Sequence, residues 1–121
     1  DHHIDRSLYR QIITEEESMT FAKVLSAARK KAGLSQKELA ALIKKEDGHA
    51  ISPQYVNDLE FGRRNPPPPL LLEQLATVLN VPTDVFYYWA GTLPADIREV
   101  EADAEQVVAA YQAFRREIRR D

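Results

Sequence analysis

Apolar residues recur at helical spacing along most of the chain, and the clearest example begins at residue 34. Ser35 is a favoured N-cap residue, and Glu38 follows three positions later to complete a capping box. The apolar positions after this start lie on one helical face and are Leu39, Leu42 and Ile43. The pattern therefore predicts a short amphipathic helix that must bury this face against a neighbour.

A second short helix is predicted after residue 51. Ser52 is its N-cap, and Pro53 occupies the first helical position, where a missing N–H costs nothing. Gly62 offers a C-terminal stop after the apolar positions Tyr55, Val56 and Leu59. Two helices this short cannot bury their apolar faces alone, so they must contact each other and flanking helices. This arrangement is typical of a helix-turn-helix, whose second helix normally enters the DNA major groove.

The flanking segments also predict helices. A capping box at Thr14 and Glu17 predicts a helix that ends at Gly33, with a buried stripe of Phe21, Leu25, Ala28 and Ala32. The segment at residues 70–79 predicts another helix, with Leu71, Leu72, Leu75 and Leu79 in the core. A further helix starts at Thr83 or Asp84. We expect Val85, Phe86 and Trp89 to be buried in it, and Tyr87 and Tyr88 to be partly exposed.

The last stretch, residues 94–120, predicts one long helix that opens at Pro94 or Ala95. Its apolar residues recur at alternating three- and four-residue steps: Ile97, Val100, Ala104, Val107, Tyr111, Phe114 and Ile118. Such a heptad pattern is typical of a seam between two helices, although the same stripe could fold back onto the domain. We favour self-association, because the preceding helices have enough apolar residues for a core. The proposed dimerisation residues are Val100, Ala104, Val107, Tyr111 and Phe114.

Composition and charge narrow the functional classes. The chain has 121 residues and no cysteine, so disulfides and thiolate metal sites are excluded. It has no apolar run long enough for a membrane span, and a cytoplasmic protein is expected. The net charge of −3 divides unevenly: residues 18–69 carry +4, whereas residues 1–17 carry −3 and residues 70–121 carry −4. A basic centre between acidic flanks favours one face that approaches phosphate, although a solvated surface of mixed charge would look similar.

Three segments carry a resemblance to a known family: GLSQKELA at residues 33–40, IS-x-x-YVNDLEFGRRNP at 51–66, and LLLEQLATVLNVPTDVF at 70–86. They resemble the Xre/Cro-type phage-repressor family over roughly residues 20–91. The resemblance implies an all-α, five-helix repressor-type helix-turn-helix domain that binds double-stranded DNA. The long C-terminal helix would follow this domain.

The resemblance also implies roles for individual residues. The residues expected to point outward and contact bases are Gln54, Asn57 and Asp58, with Tyr55 as either a thymine-methyl contact or a wall of the motif. Gln and Asn can bond bidentately to adenine, and Asp can accept from cytosine. Ser52 and Gln36 match family residues that bond phosphate at helix N-termini. Lys37, Arg63 and Arg64 are the expected phosphate cations, and Arg29 is expected to pair with Glu60 and lock the first helix to the third.

One segment departs from the family pattern. The two motif helices are usually joined by about three or four residues, but here residues 44–50 form a longer connection. Glu46, Asp47 and Gly48 within it favour a turn. We expect this insertion to bulge outward, with His49 facing water, and it alters the expected approach to the groove.

These observations predict three parts: residues 1–17 as an N-terminal extension or a vector-derived segment, 18–93 as the DNA-binding domain, and 94–121 as a dimerisation helix. The expected function is sequence-specific regulation of transcription, most simply as a dimeric repressor, with no cofactor and no metal. Enzymatic activity has little support, since no glycine-rich phosphate loop or His/carboxylate metal spacing is present. The alternative is an antitoxin or phage-switch type module whose main partner is another protein, a toxin or antirepressor.

Overall fold

The computed structural model describes residues 18–120, and the regular structure in this range is helical. The helices are α1 (Phe21–Lys31), α2 (Gln36–Leu42), α3 (Pro53–Glu60), α4 (Pro69–Leu79), α5 (Thr83–Ala90), α6 (Ala95–Arg98) and α7 (Ala104–Ile118). The all-α prediction is confirmed. Within the described range, every helix is too short or too polar to span a bilayer. Predictions for residues 1–17 lie outside the described residues.

Helices α1–α5 surround one hydrophobic core. Its members with no measurable exposure are Val24, Leu25, Leu39, Ile43, Val56, Leu72 and Phe86. Phe21 of α1 contacts Phe86 of α5 edge-to-face, with ring centroids 5.7 Å apart, an arrangement that aromatic pairs favour. Because α2 and α3 supply core residues beside those of α1, the helix-turn-helix is fixed on its neighbours rather than free-standing.

Local signals set the helix starts. Ser35 and Glu38 make the predicted capping box, with hydrogen bonds of 2.9 and 2.8 Å. Ser52 caps α3 by accepting a 3.0 Å bond from the Tyr55 amide. The prediction of one continuous helix from Thr14 to Ala32 is wrong, because residues 18–20 are not helical and Thr20 is the N-cap of α1.

Several burial predictions were also wrong. Ala32 is the exposed C-cap of α1, and Leu42 is exposed because α2 ends there. Tyr87, expected to be partly exposed, is buried and donates a 2.7 Å hydrogen bond to Glu73 of α4. Burial, followed by this bond, raises the pKa of Tyr87 to about 12. Trp89, expected to be buried, is half-buried against the core.

The insertion between α2 and α3 is a small antiparallel hairpin. Lys44 bridges to Ala50, and the Ile51 amide donates to the Ile43 carbonyl over 3.0 Å. Gly48 turns the tip with a φ of 86°, a conformation that favours glycine. Residues 44–50 are exposed, as an outward bulge requires.

Gln74 of α4 fixes the base of this hairpin. Its side-chain oxygen accepts from the Lys44 amide over 2.8 Å, and its side-chain nitrogen donates to the Lys44 carbonyl over 2.7 Å. A glutamine side chain therefore takes the place of a neighbouring strand. The chain consequently leads from the hairpin into α3 at a fixed position, since Ile51 is buried directly before the N-cap Ser52.

The prediction of a single helix over residues 94–120 is wrong. The segment divides into α6 and α7, and Asp103 starts α7 with its own capping box to Gln106, at 2.8 Å in both directions. Val100 lies in the break, so it does not share a helical face with the other proposed dimerisation residues. A long C-terminal helix remains, shorter than expected.

Candidate nucleic-acid interface

Burial of one side of α3 determines which side chains face outward. Val56 and Leu59 are buried, so the opposite stripe of the helix carries Gln54, Asp58 and Phe61 at positions i, i+4 and i+7. Gln54 and Phe61 are exposed, and Asp58 is half-buried. Of the predicted base-contacting residues, Gln54 therefore lies most openly on this surface.

The inner end of α3 is fixed to α1 by Arg29 and Glu60. Arg29 Nε and Nη2 donate to the two carboxylate oxygens of Glu60, the second over 2.9 Å, and Arg29 Nη1 donates to the Leu34 carbonyl over 2.9 Å. The hydrogen bond with Glu60 is the largest cause that raises the pKa of Arg29. This two-pronged geometry is the strong form of an ion pair, and here it joins the two helices directly.

Gln36 extends the contact from Glu60 to the middle of α3. Its side-chain nitrogen donates to Glu60 Oε1 over 3.1 Å, and its side-chain oxygen accepts from Asn57 Nδ2 over 3.2 Å. Gln36 is also the first residue of α2. The start of α2 is therefore held at a fixed distance from the outer side of α3.

The same series of contacts continues to Arg63 and Gln54. Arg63 Nη1 donates to Asn57 Oδ1 over 3.1 Å and lies 3.5 Å from Asp58 Oδ1. Gln54 Nε2 donates to the same Asp58 oxygen over 2.9 Å. Asp58 thus holds a glutamine and an arginine together.

The two arginines after α3 also rest on aromatic rings. The Arg63 guanidinium lies 5.0 Å from the centre of the Phe61 ring, and that of Arg64 lies 5.7 Å from the Tyr55 ring. Gly62, with a φ of 71°, makes the turn that brings Arg63 back over Phe61. Burial raises the pKa of the Tyr55 phenol, which Arg64 partly offsets. Both contacts restrict where the two cations can move.

We refer to Arg29, Gln36, Gln54, Asn57, Asp58, Glu60 and Arg63 as the polar network. It contains every predicted base-contacting residue except Tyr55, and it contains Gln36 and Arg63 from the predicted phosphate contacts. Ser52 and Lys37 lie outside it as exposed residues at the starts of α3 and α2. Among residues 18–120, no group of His, Asp or Glu side chains is arranged to hold a metal ion.

Sequence reasoning missed Phe61 and Gln74. The local signal near Phe61 was Gly62, a residue that permits the positive-φ turn between Phe61 and Arg63. Gln74 had none, because its partner Lys44 is 30 positions away in the chain.

A comparison with protein-family models found one that describes a helix-turn-helix, which matches residues 25–86, slightly more than half of the chain. The match begins in α1 and ends in α5, so it covers the whole polar network. Neither the curated proteins nor the solved structures gave a match to the chain.

Proposed function

The chain belongs to the Xre/lambda-repressor-like helix-turn-helix family, and from that membership we propose that it is a sequence-specific regulator of transcription that binds double-stranded DNA as a dimeric repressor. Membership of this family makes the domain a helix-turn-helix of the DNA-binding regulatory type. The specific site, the repressor activity and the dimer are our proposal.

One observation carries it: the polar network holds Gln54, on the outer face of α3, and Arg63, just after α3, at one oxygen of Asp58. A base-reading side chain must be held in one orientation if it is to discriminate between bases, and a neighbouring cation must be available for phosphate. Asp58 supports both tasks, because it bonds Gln54 and Arg63 through one oxygen. The network is in turn anchored to α1 through Glu60 and Arg29.

Gln54 is our first candidate for direct base contact. One proton of its amide nitrogen bonds Asp58, which leaves the second proton and the amide oxygen available. Those two groups match adenine N7 and N6 in the major groove. Asn57 bonds Gln36 and Arg63 with both ends of its amide, so we assign it mainly to positioning. Tyr55 remains a candidate for contact with a thymine methyl group.

The phosphate contacts of the proposal surround this centre. Arg63 and Arg64 follow α3, Lys37 stands at the start of α2, and Gln36 and Ser52 occupy the helix N-termini, where backbone amides attract anions. These side chains lie within residues 18–69, the part of the chain that carries a net charge of +4.

The salt dependence of duplex binding tests the phosphate contacts. Each neutralised phosphate contributes about one to the slope of log affinity against log salt. Arg63→Ala and Arg64→Ala should each reduce the slope by about one, and both together by about two, with binding weakened similarly on all sequences. Arg98→Ala is the matched control, because it removes one exposed charge from α6, outside residues 25–86. An unchanged slope in the double variant, with lost discrimination between sequences, would contradict the assignment.

Dimerisation belongs to the proposal because one recognition helix reads too few base pairs to compete with genomic DNA. Two helices on one face would read half-sites about 10 base pairs apart. The uncovered apolar face of α7 supports this part. Four of the five proposed dimerisation residues lie on α7: Ala104, Val107, Tyr111 and Phe114. The fifth, Val100, lies in the segment before this helix.

A further inference from the structure

Helix α7 carries an apolar stripe that residues 18–120 leave largely uncovered. Every residue of the helix is exposed, and its larger apolar side chains keep 42–55% of their surface: Val107, Val108, Tyr111, Phe114 and Ile118. Phe114 does approach Tyr88 of α5, with ring centroids 6.1 Å apart, yet it stays about half exposed. A helix of 15 residues is marginal in water without packing on its apolar face. This stripe therefore requires an occupant.

Charge is segregated along the same segment. Residues 99–105 carry four acidic side chains and no basic one: Glu99, Glu101, Asp103 and Glu105. Residues 106–114 are uncharged, and residues 115–120 carry four arginines and one glutamate. Acids at a helix start and bases at its end do favour the helix dipole, but Glu99 and Glu101 precede the first turn of α7. The segregation thus extends beyond what the dipole explains.

We propose that α7 pairs in antiparallel orientation with α7 of a second copy of this chain. This proposal rests on the proposed dimeric function and specifies the geometry of the dimer. An antiparallel pair sets the acidic end of one helix beside the arginine end of the other and opposes the two helix dipoles. A parallel pair sets arginines beside arginines and acids beside acids. The charges therefore select a second copy in the antiparallel orientation.

The seam residues fit this orientation. In a heptad seam of antiparallel helices, the two kinds of apolar position face each other. One register places Ala104 opposite Phe114 of the second copy, and Val107 opposite Tyr111. Each layer then combines a smaller with a larger side chain, which favours interdigitation. In the same register Val108 flanks the seam near its midpoint and lies next to Val108 of the second copy.

Disulfide trapping tests the orientation, since the chain has no cysteine and each introduced thiol is unique. Ala104→Cys and Phe114→Cys proteins, oxidised as a mixture, should give a cross-linked heterodimer, while each protein alone stays largely unlinked. In the proposed pair the two copies of residue 104 lie about 15 Å apart along the axis. Efficient self-linking of Ala104→Cys would show a parallel pair and overturn the proposal.

Sedimentation of the wild-type chain at low and high salt provides a second readout without a variant. The antiparallel dimer should dissociate more as salt rises, because its end-to-end charge attraction is screened. A dimer that strengthens with salt, or a monomer at tens of micromolar, would overturn the proposal. A monomer would direct the stripe to its own domain or to a different protein, such as a toxin or antirepressor.

Binding to a single half-site separates this proposal from the proposed function. If the cysteine mixture fails to link while half-site binding stays salt-dependent, the antiparallel pair is wrong and DNA recognition stands. If the heterodimer forms but duplex DNA is not bound at low salt, the pair stands and the DNA-reading function is wrong.

Discussion

Two regions of this chain have similar amphipathic patterns and opposite fates. In α1–α5 the apolar positions meet those of neighbouring helices, and residues such as Leu25, Leu39 and Phe86 lose all exposure. In α7 the apolar positions recur just as regularly, yet none is buried against residues 18–120. A hydrophobic stripe thus reveals that a helix has a face to cover, and says nothing about what covers it. In this chain the difference separates helices that bury one another's apolar faces from a helix whose apolar face stays open within residues 18–120.

The largest expected effect comes from one residue type placed in both regions. Phe86 is 0% exposed and contacts Phe21, whereas Phe114 is 47% exposed. Phe86→Ala should lower the free energy of unfolding by about 3–5 kcal/mol, because it removes buried area and leaves a cavity. Phe114→Ala should lower it by about 0.5 kcal/mol or less at dilutions where the chain is monomeric.

Denaturant unfolding of both variants at low and high protein concentration makes this measurement. Equal losses of unfolding free energy in dilute protein would show that α7 belongs to the domain core, and would contradict the distinction between the two regions.

A smaller effect is expected from the ion pairs of the two regions. Arg29 and Glu60 have side chains that are 12% and 3% exposed, whereas Arg120 and Glu117 are 72% and 68% exposed. Glu60→Ala should cost on the order of 3 kcal/mol, since it leaves Arg29 as a largely buried, unpaired charge. Glu117→Ala should cost about 0.5 kcal/mol or less, because exposed pairs contribute little.

A double-mutant cycle checks each pair. Removing both Arg29 and Glu60 should cost less than the sum of the single losses, while the Arg120–Glu117 cycle should be close to additive. Additive losses at Arg29 and Glu60 would mean that their contact does not stabilise the fold.

Much of the domain follows from local sequence. Helix starts can be predicted from Ser35, Glu38 and Ser52, because the hydrogen bonds of these side chains span only three residues of the chain. The break before α7 had a local signal as well, since Asp103 and Gln106 form a capping box. The heptad spacing of apolar residues continues through this capping box without interruption, so the spacing alone predicts one unbroken helix. At this position the capping box, rather than the apolar spacing, determines where the helix begins.

The interface was less predictable for a physical reason. Its candidate residues came from the family resemblance, but their partners depend on how distant helices meet. Gln36 lies 24 positions from Glu60 and 21 from Asn57. Side-chain choices between remote partners leave no periodic trace in a sequence.

Selection of duplexes from a random-sequence pool most directly tests the central claim, that the outer face of α3 reads DNA. The wild-type chain should enrich one motif that contains an adenine read by Gln54. Gln54→Ala should retain salt-dependent binding and lose the preference at that one position, while Gln112→Ala, an exposed glutamine of α7, should return the wild-type motif. No enriched motif for the wild-type chain, or an unchanged motif with Gln54→Ala, would contradict the account.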